Sequence, residues 1–132
     1  MRKLTGIVKN GHGVASRYLR HVESLIENRT GVRPLISGTF NLKLAEPYIV
    51  KSDAQIEKDE YNGREYIKLQ RCRVGGLQAL IMRPNTHEEG RGHGTAYLEL
   101  LSTVQLRKHL DVKDEDSVEV EVEGDDEWWD QV

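Results

Sequence analysis

Hydrophobic and polar positions change period several times along this chain, and the changes mark out its elements. Leu4 to Lys9 reads as a short strand, and Asn10-Gly11-His12-Gly13 follows as a turn. From Val14 to about Asn28 the spacing becomes helical: Leu19, Val22 and Ile26 share a face with Tyr18 and Leu25 beside them, and Gly31 and Pro34 supply the stop. Gly38 to Leu44 alternates strictly, with Phe40, Leu42 and Leu44 on one face and Thr39, Asn41 and Lys43 on the other. Pro47 ends that strand, and Ile49 to Ile56 has only a weak pattern. Tyr61-Asn62-Gly63-Arg64 predicts a type I′ hairpin turn, because Asn-Gly tolerates two successive positive φ angles. Glu65–Val74 and Leu77–Arg83 read as two strands joined at Gly75-Gly76. A polar, glycine-rich loop runs from Pro84 to Gly94. Thr95–Leu101 then reads as a strand, Val104–Leu110 as a short helix, Asp111–Asp116 as an acidic turn and Val118–Val122 as a last strand.

Many short strands with one substantial helix predict a mostly-β domain, a small β-barrel. A doubly wound sheet needs helices between its strands, and this pattern lacks them. Residues 1–124 are expected to form one domain and residues 125–132, acidic and carrying Trp128 and Trp129, a flexible tail.

At 132 residues the chain is long enough for one domain with a real core. Its apolar runs are too short to span a membrane, and its first residues lack the apolar stretch of a signal peptide, so a cytoplasmic protein is expected. A single cysteine, Cys72, excludes an intrachain disulfide and a cysteine-based zinc site. The net charge of −3 hides an asymmetry: residues 1–110 sum to +7 and residues 111–132 to −10. A basic body suits a phosphate-bearing partner, nucleotide or nucleic acid, although a solvated surface carries the same charge.

Thr39, Asn41 and Lys43 present a hydroxyl, an amide and an ammonium in one row. Mg²⁺ takes hard oxygens, which the hydroxyl and amide can supply, and an ammonium balances phosphate charge. The same row also fits the solvent face of a half-buried strand. The Asn10–Gly13 turn precedes a helix and can offer backbone N–H groups to phosphate, with Arg17 nearby, but it matches neither the Walker A nor the dinucleotide pattern. The five histidines are scattered, and none forms a helical metal-binding pair. Glu99, a single acid in the apolar strand Tyr97–Leu101, reads either as a base with a raised pKa or as a surface residue. Cys72, between Arg71 and Arg73, reads as a packed thiol.

Four segments together resemble the archaeal-type CTP-dependent riboflavin kinases. They are Gly11-His12-Gly13-Val14-Ala15-Ser16-Arg17-Tyr18; Gly38-Thr39-Phe40-Asn41-Leu42-Lys43-Leu44; Arg83-Pro84-Asn85-Thr86 with the later Tyr97-Leu98-Glu99-Leu100-Leu101; and Gln105-Leu106-Arg107-Lys108 with Leu110 to Val118. They come in the family's order over residues 4–123. The resemblance implies a six-stranded cradle-loop barrel, and a reaction in which CTP and riboflavin give CDP and FMN. It implies that His12, Gly13, Val14, Ala15, Ser16, Arg17 and Tyr18 wrap the nucleotide, with Val104, Gln105, Leu106 and Arg107 on its other side. It further implies that Thr39 and Asn41 hold Mg²⁺ and that Thr86 and Glu99 contact the flavin. Lys43 and Glu99 are then the candidate catalytic groups, Lys43 for charge and Glu99 for the hydroxyl. The chain departs from the family pattern at Val14-Ala15-Ser16, at Ser102-Thr103 and in a longer loop after Thr86, where His93 keeps the family's spacing to Glu99. A monomer is expected. The alternatives are a sister kinase or binding protein with another acceptor, and a nucleic-acid-binding barrel. Strands without regularly spaced aromatic residues and an acidic C-terminal end make the last unlike a nucleic-acid binder.

Overall fold

The computed structural model describes residues 1–10, 14–36, 38–85 and 94–130, and of residues 14–21 the backbone alone. In chain order the elements are β1 (Arg2–Lys9), α1 (Val14–Thr30), β2 (Phe40–Leu44), β3 (Ala54–Ile56), a 3-10 turn (Lys58–Glu60), β4 (Ile67–Val74), β5 (Leu77–Pro84), β6 (Tyr97–Leu101), α2 (Leu106–His109), β7 (Ser117–Val122) and α3 (Asp126–Asp130). The strands run in the order β3-β4-β5-β6-β2-β1-β7, and β7 pairs back onto β4. Six antiparallel strands therefore close on themselves, and β3 stands outside the ring. β4 serves both neighbours: Ile67 to Leu69 pair with β3, while Cys72 and Arg73 pair with Val122 and Glu121.

Closure gives the sheet an inside and an outside, so the period-two pattern of each strand becomes a choice between two cores. Val8, Leu42, Leu98, Ile81, Cys72 and Val120 fill the interior. On the outside, Val22 and Ile26 of α1 pack against Ile56, Ile67, Leu69 and Met82. All twelve of these side chains except Met82, at 2%, are fully buried. At about 1.5–3 kcal/mol for each such large aliphatic side chain, the outer cluster contributes on the same scale as the inner one. No helix among the described residues is long and apolar enough to cross a membrane.

Gly75 and Gly76 have φ angles of +57° and +80°, as a tight turn of the I′ kind between β4 and β5 requires. The Asn62-Gly63 turn is different from the expected hairpin. Asn62 does take a positive φ, 56°, but β3 and β4 are joined by ten residues, 57–66, that include the 3-10 turn. Glu57 and Glu60 cap that turn reciprocally, and Arg29 from the end of α1 donates to both carboxylate oxygens of Glu60. The local turn signal is thus absorbed into a segment held by α1.

Within the expected tail, residues 126–130 form α3 and bury Trp129. Asp125 accepts from the Trp128 N–H at 2.8 Å and starts α3. Trp129 is 8% exposed, beneath the Arg71 guanidinium at 5.5 Å, and its carbonyl accepts from Gln78 at 2.6 Å. The indole joins the outer core, which outweighs the repulsion among the acidic residues around it. Trp129→Ala should therefore destabilise the protein by about 2–4 kcal/mol, read as a lower midpoint in urea at unchanged slope.

Candidate functional site

One open cleft, of about 220 Å³, lies where β2 begins, β6 ends and α2 crosses the barrel rim. Thr39, Asn41, Gln105 and Arg107 line it, with Lys9 and Asn10 from the end of β1. Strand register explains the assembly. Asn41 sits opposite Lys9 on one side and Glu99 on the other. Residues directly opposite in antiparallel strands share a face, with Cβ atoms about 4.5–5.5 Å apart. Lys9, Asn41, Glu99 and Met82 consequently form one row across four outer strands. The row is charged and polar at one end and apolar at the other, where α1 covers it.

Thr39 Oγ1 donates to Asn41 Oδ1 at 3.0 Å. Two cis ligands of an octahedral Mg²⁺, each at ~2.1 Å, stand ~3.0 Å apart, so this oxygen pair fits one such cation without rearrangement of the backbone. Among the described residues no group of three or more His, Cys, Asp or Glu side chains is placed to hold a metal. A cation here would depend on neutral protein oxygens and on the oxygens of its ligand.

Charge in the site is set by its rim. Lys9 Nζ meets Glu115 Oε1 at 2.5 Å, which raises the lysine's pKa, and Arg107 meets Asp114 at 2.8 Å. Glu99 is half-buried, and its pKa rises from the ordinary 4.5 to about 7 because burial disfavours the carboxylate; Arg83 acts in the opposite sense. Arg83 is itself buried and donates to the carbonyls of Tyr48 at 2.5 Å and Tyr97 at 2.9 Å, the latter at the start of β6.

The structure brings Thr39, Asn41, Val104, Gln105, Leu106 and Arg107 around the same cleft. Glu99 lies beside Asn41 but does not line the cleft, and Lys43 is exposed, opposite Tyr97 and farther along β2. His12, Gly13 and Thr86 lie outside the described residues, and Val14, Ala15, Ser16, Arg17 and Tyr18 are described as α1 backbone only. Lys9 and Ser102 are lining residues that sequence reasoning missed, whereas Asn10 belongs to the turn read from the sequence as a possible phosphate cradle. Lys9 carried a signal, as the last residue of a predicted strand, but only the β1–β2 register shows that it faces Asn41.

A family model labelled CTP-dep_RFKase, described as a domain of unknown function, DUF120, matches residues 8–122. Over 96% of its length the chain is 25% identical to a protein of Staphylothermus marinus named riboflavin kinase, covering 95% of that protein. It is 34% identical to a riboflavin kinase of Pyrobaculum arsenaticum over 91% of its length, and 30% identical to one of Thermococcus kodakarensis over 90%. The chain spans 60% and 58% of those two longer proteins.

The shifted carboxyl has a measurable consequence. The folded state binds the Glu99 proton more tightly than the unfolded chain does, so this group's stabilisation is fully present below about pH 4.5 and is lost as pH rises toward about 7. Glu99→Gln, which cannot ionise, should be more stable than the wild type by about 1–3 kcal/mol at pH 8 and should show no such advantage at pH 4. Urea unfolding of both proteins at the two pH values checks this.

Proposed function

The chain belongs to the family of archaeal-type CTP-dependent riboflavin kinases, and we propose that it transfers the γ-phosphate of CTP to the 5′-hydroxyl of riboflavin, giving FMN and CDP with Mg²⁺ present. The observation that carries this reading is the Thr39–Asn41 oxygen pair at the mouth of a cleft whose other wall is Gln105 to Arg107. Thr39 and Asn41 would hold Mg²⁺ there, and the ion would supply charge neutralisation for the phosphates.

The rest of the work falls to positioning, which suits phosphoryl transfer, because it needs alignment and charge balance more than covalent help from the protein. Among the described residues Arg107 and Lys9 are the cations that line the cleft, and they balance the polyphosphate. Val104 and Leu106 supply apolar wall, and residues 12–18 close over the nucleotide as the family resemblance implies. Glu99 is the group next to the metal-binding pair with a proton affinity suited to accepting the ribityl hydroxyl's proton as that oxygen attacks phosphorus. Lys43, outside the cleft, adds only longer-range positive charge. Thr86 takes the flavin in this reading.

The test is an assay with purified protein, riboflavin and CTP, ATP, GTP or UTP in separate reactions, FMN being read by chromatography. FMN should form with CTP above the others and should disappear when Mg²⁺ is chelated. Formation with ATP in preference would keep the kinase and overturn the base choice, whereas no FMN from any nucleotide, with folded protein, would overturn the reaction. Asn41→Ala should lower kcat/KM by about 10²-fold, ~3 kcal/mol of transition-state stabilisation, while the circular dichroism spectrum stays unchanged.

A further inference from the structure

The acidic turn after α2 holds two cations of the cleft, Arg107 and Lys9, from behind. Asp114 Oδ1 meets Arg107 at 2.8 Å, Asp114 Oδ2 accepts from Asn10 Nδ2 at 2.6 Å, and Asn10 Oδ1 accepts from Arg107 at 3.4 Å. The three side chains close a ring that links α2, the turn and Asn10, the last described residue before residues 11–13. Next along the turn, Glu115 holds Lys9 opposite Asn41. Lys9, Asn10 and Arg107 line the cleft, whereas neither Asp114 nor Glu115 does. The carboxylates therefore do not occupy the space a phosphate would take; they fix the direction from which the cations reach it.

Two further features separate this from an ordinary surface network. Asp114 and Glu115 are 43% and 69% exposed, and ion pairs of that kind add little to stability. Glu115 also holds a φ of +76°, a conformation that glycine adopts more readily, and its N–H donates to Val8 O at 3.0 Å. Glycine would meet the backbone requirement of that turn with less strain. We propose that Asp114 and Glu115 are positioning residues for nucleotide binding: they hold Arg107, Asn10 and Lys9 in the orientation that meets the polyphosphate. The inference rests on the reading of this cleft as the nucleotide site.

Calorimetric titrations of the full chain with Mg·CTP and, separately, with riboflavin test it, alongside steady-state kinetics. Asp114→Ala should weaken Mg·CTP about tenfold, the scale of one charge-assisted hydrogen bond, and raise the KM for CTP more than it lowers kcat, with riboflavin binding unchanged. If that variant does not fold, the isosteric Asp114→Asn replaces it, with the same direction expected. Glu115→Gly relieves the positive φ, so its melting midpoint should be no lower than the wild type's while Mg·CTP binds about threefold more weakly. Wild-type affinity for Mg·CTP in both variants would overturn the proposal, as would an equal loss of nucleotide and riboflavin affinity. A wild type that binds no Mg·CTP would sink the nucleotide reading of the cleft, and the positioning role with it; a wild type that binds Mg·CTP but makes no FMN would sink only the choice of reaction.

Discussion

The pairing of β7 with β4 is the contact on which the rest of the structure depends. Without it the six strands would form an open sheet with two exposed edges. With it, every strand has one face committed to a small closed interior that only side chains can fill. Close approach is part of that commitment: a Cβ at Gly6 would lie 2.9 Å from Leu42 Cβ, so the β1–β2 contact requires a residue without a side chain. A closed ring this narrow leaves no interior room for α1. The helix packs outside, over β3, β4 and β5, and divides the apolar residues into two cores.

The same closure determines where chemistry can occur. The interior is packed, so a ligand can be met only on the outer face or at the rim. The outer face of the strands is continuous, yet its character changes along one cross-strand row, from Lys9 and Asn41 through Glu99 to Met82. Glu99 sits at the boundary. It is close enough to the helix-covered side to be desolvated and close enough to Asn41 to share its surroundings. A carboxyl placed fully among the apolar residues would stay protonated, and one placed at the rim would stay ionised; the boundary puts its titration near neutrality.

Two hydrogen-bond systems hold the polar parts in place. Arg83, buried, fixes the carbonyls of Tyr48 and Tyr97 and so anchors the strand that carries Glu99. The Asp114–Asn10–Arg107 ring ties the end of β1 to α2 and the turn after it, about a hundred residues away in sequence, at the cleft mouth. Both satisfy groups from different elements at once, which is how a rim made of strand ends and one short helix acquires a definite shape.

The strand pattern of this chain was legible from residue order wherever burial followed a strict period, as in Phe40–Leu44 and Val118–Val122, because side-chain direction in a strand depends only on parity. The Thr39–Asn41 oxygen pair was legible for the same reason: two residues apart on one strand face is a local relation. Local signals failed where another element intervened. Asn62-Gly63 carries hairpin chemistry, but α1, through Arg29, captures the segment around it. The acidic end reads as solvated chain, but an indole has a core to enter once Arg71 and Gln78 stand beside it. Lys9 entered the cleft through strand register, and Asp114 came to hold the cleft's Arg107 and Asn10 from behind through a ring closed over about a hundred residues of separation. Residue order determines which face a side chain takes on its own strand. Which side chains then meet is decided by pairing and closure, whose free energy comes from segments distant in sequence and has no local signature.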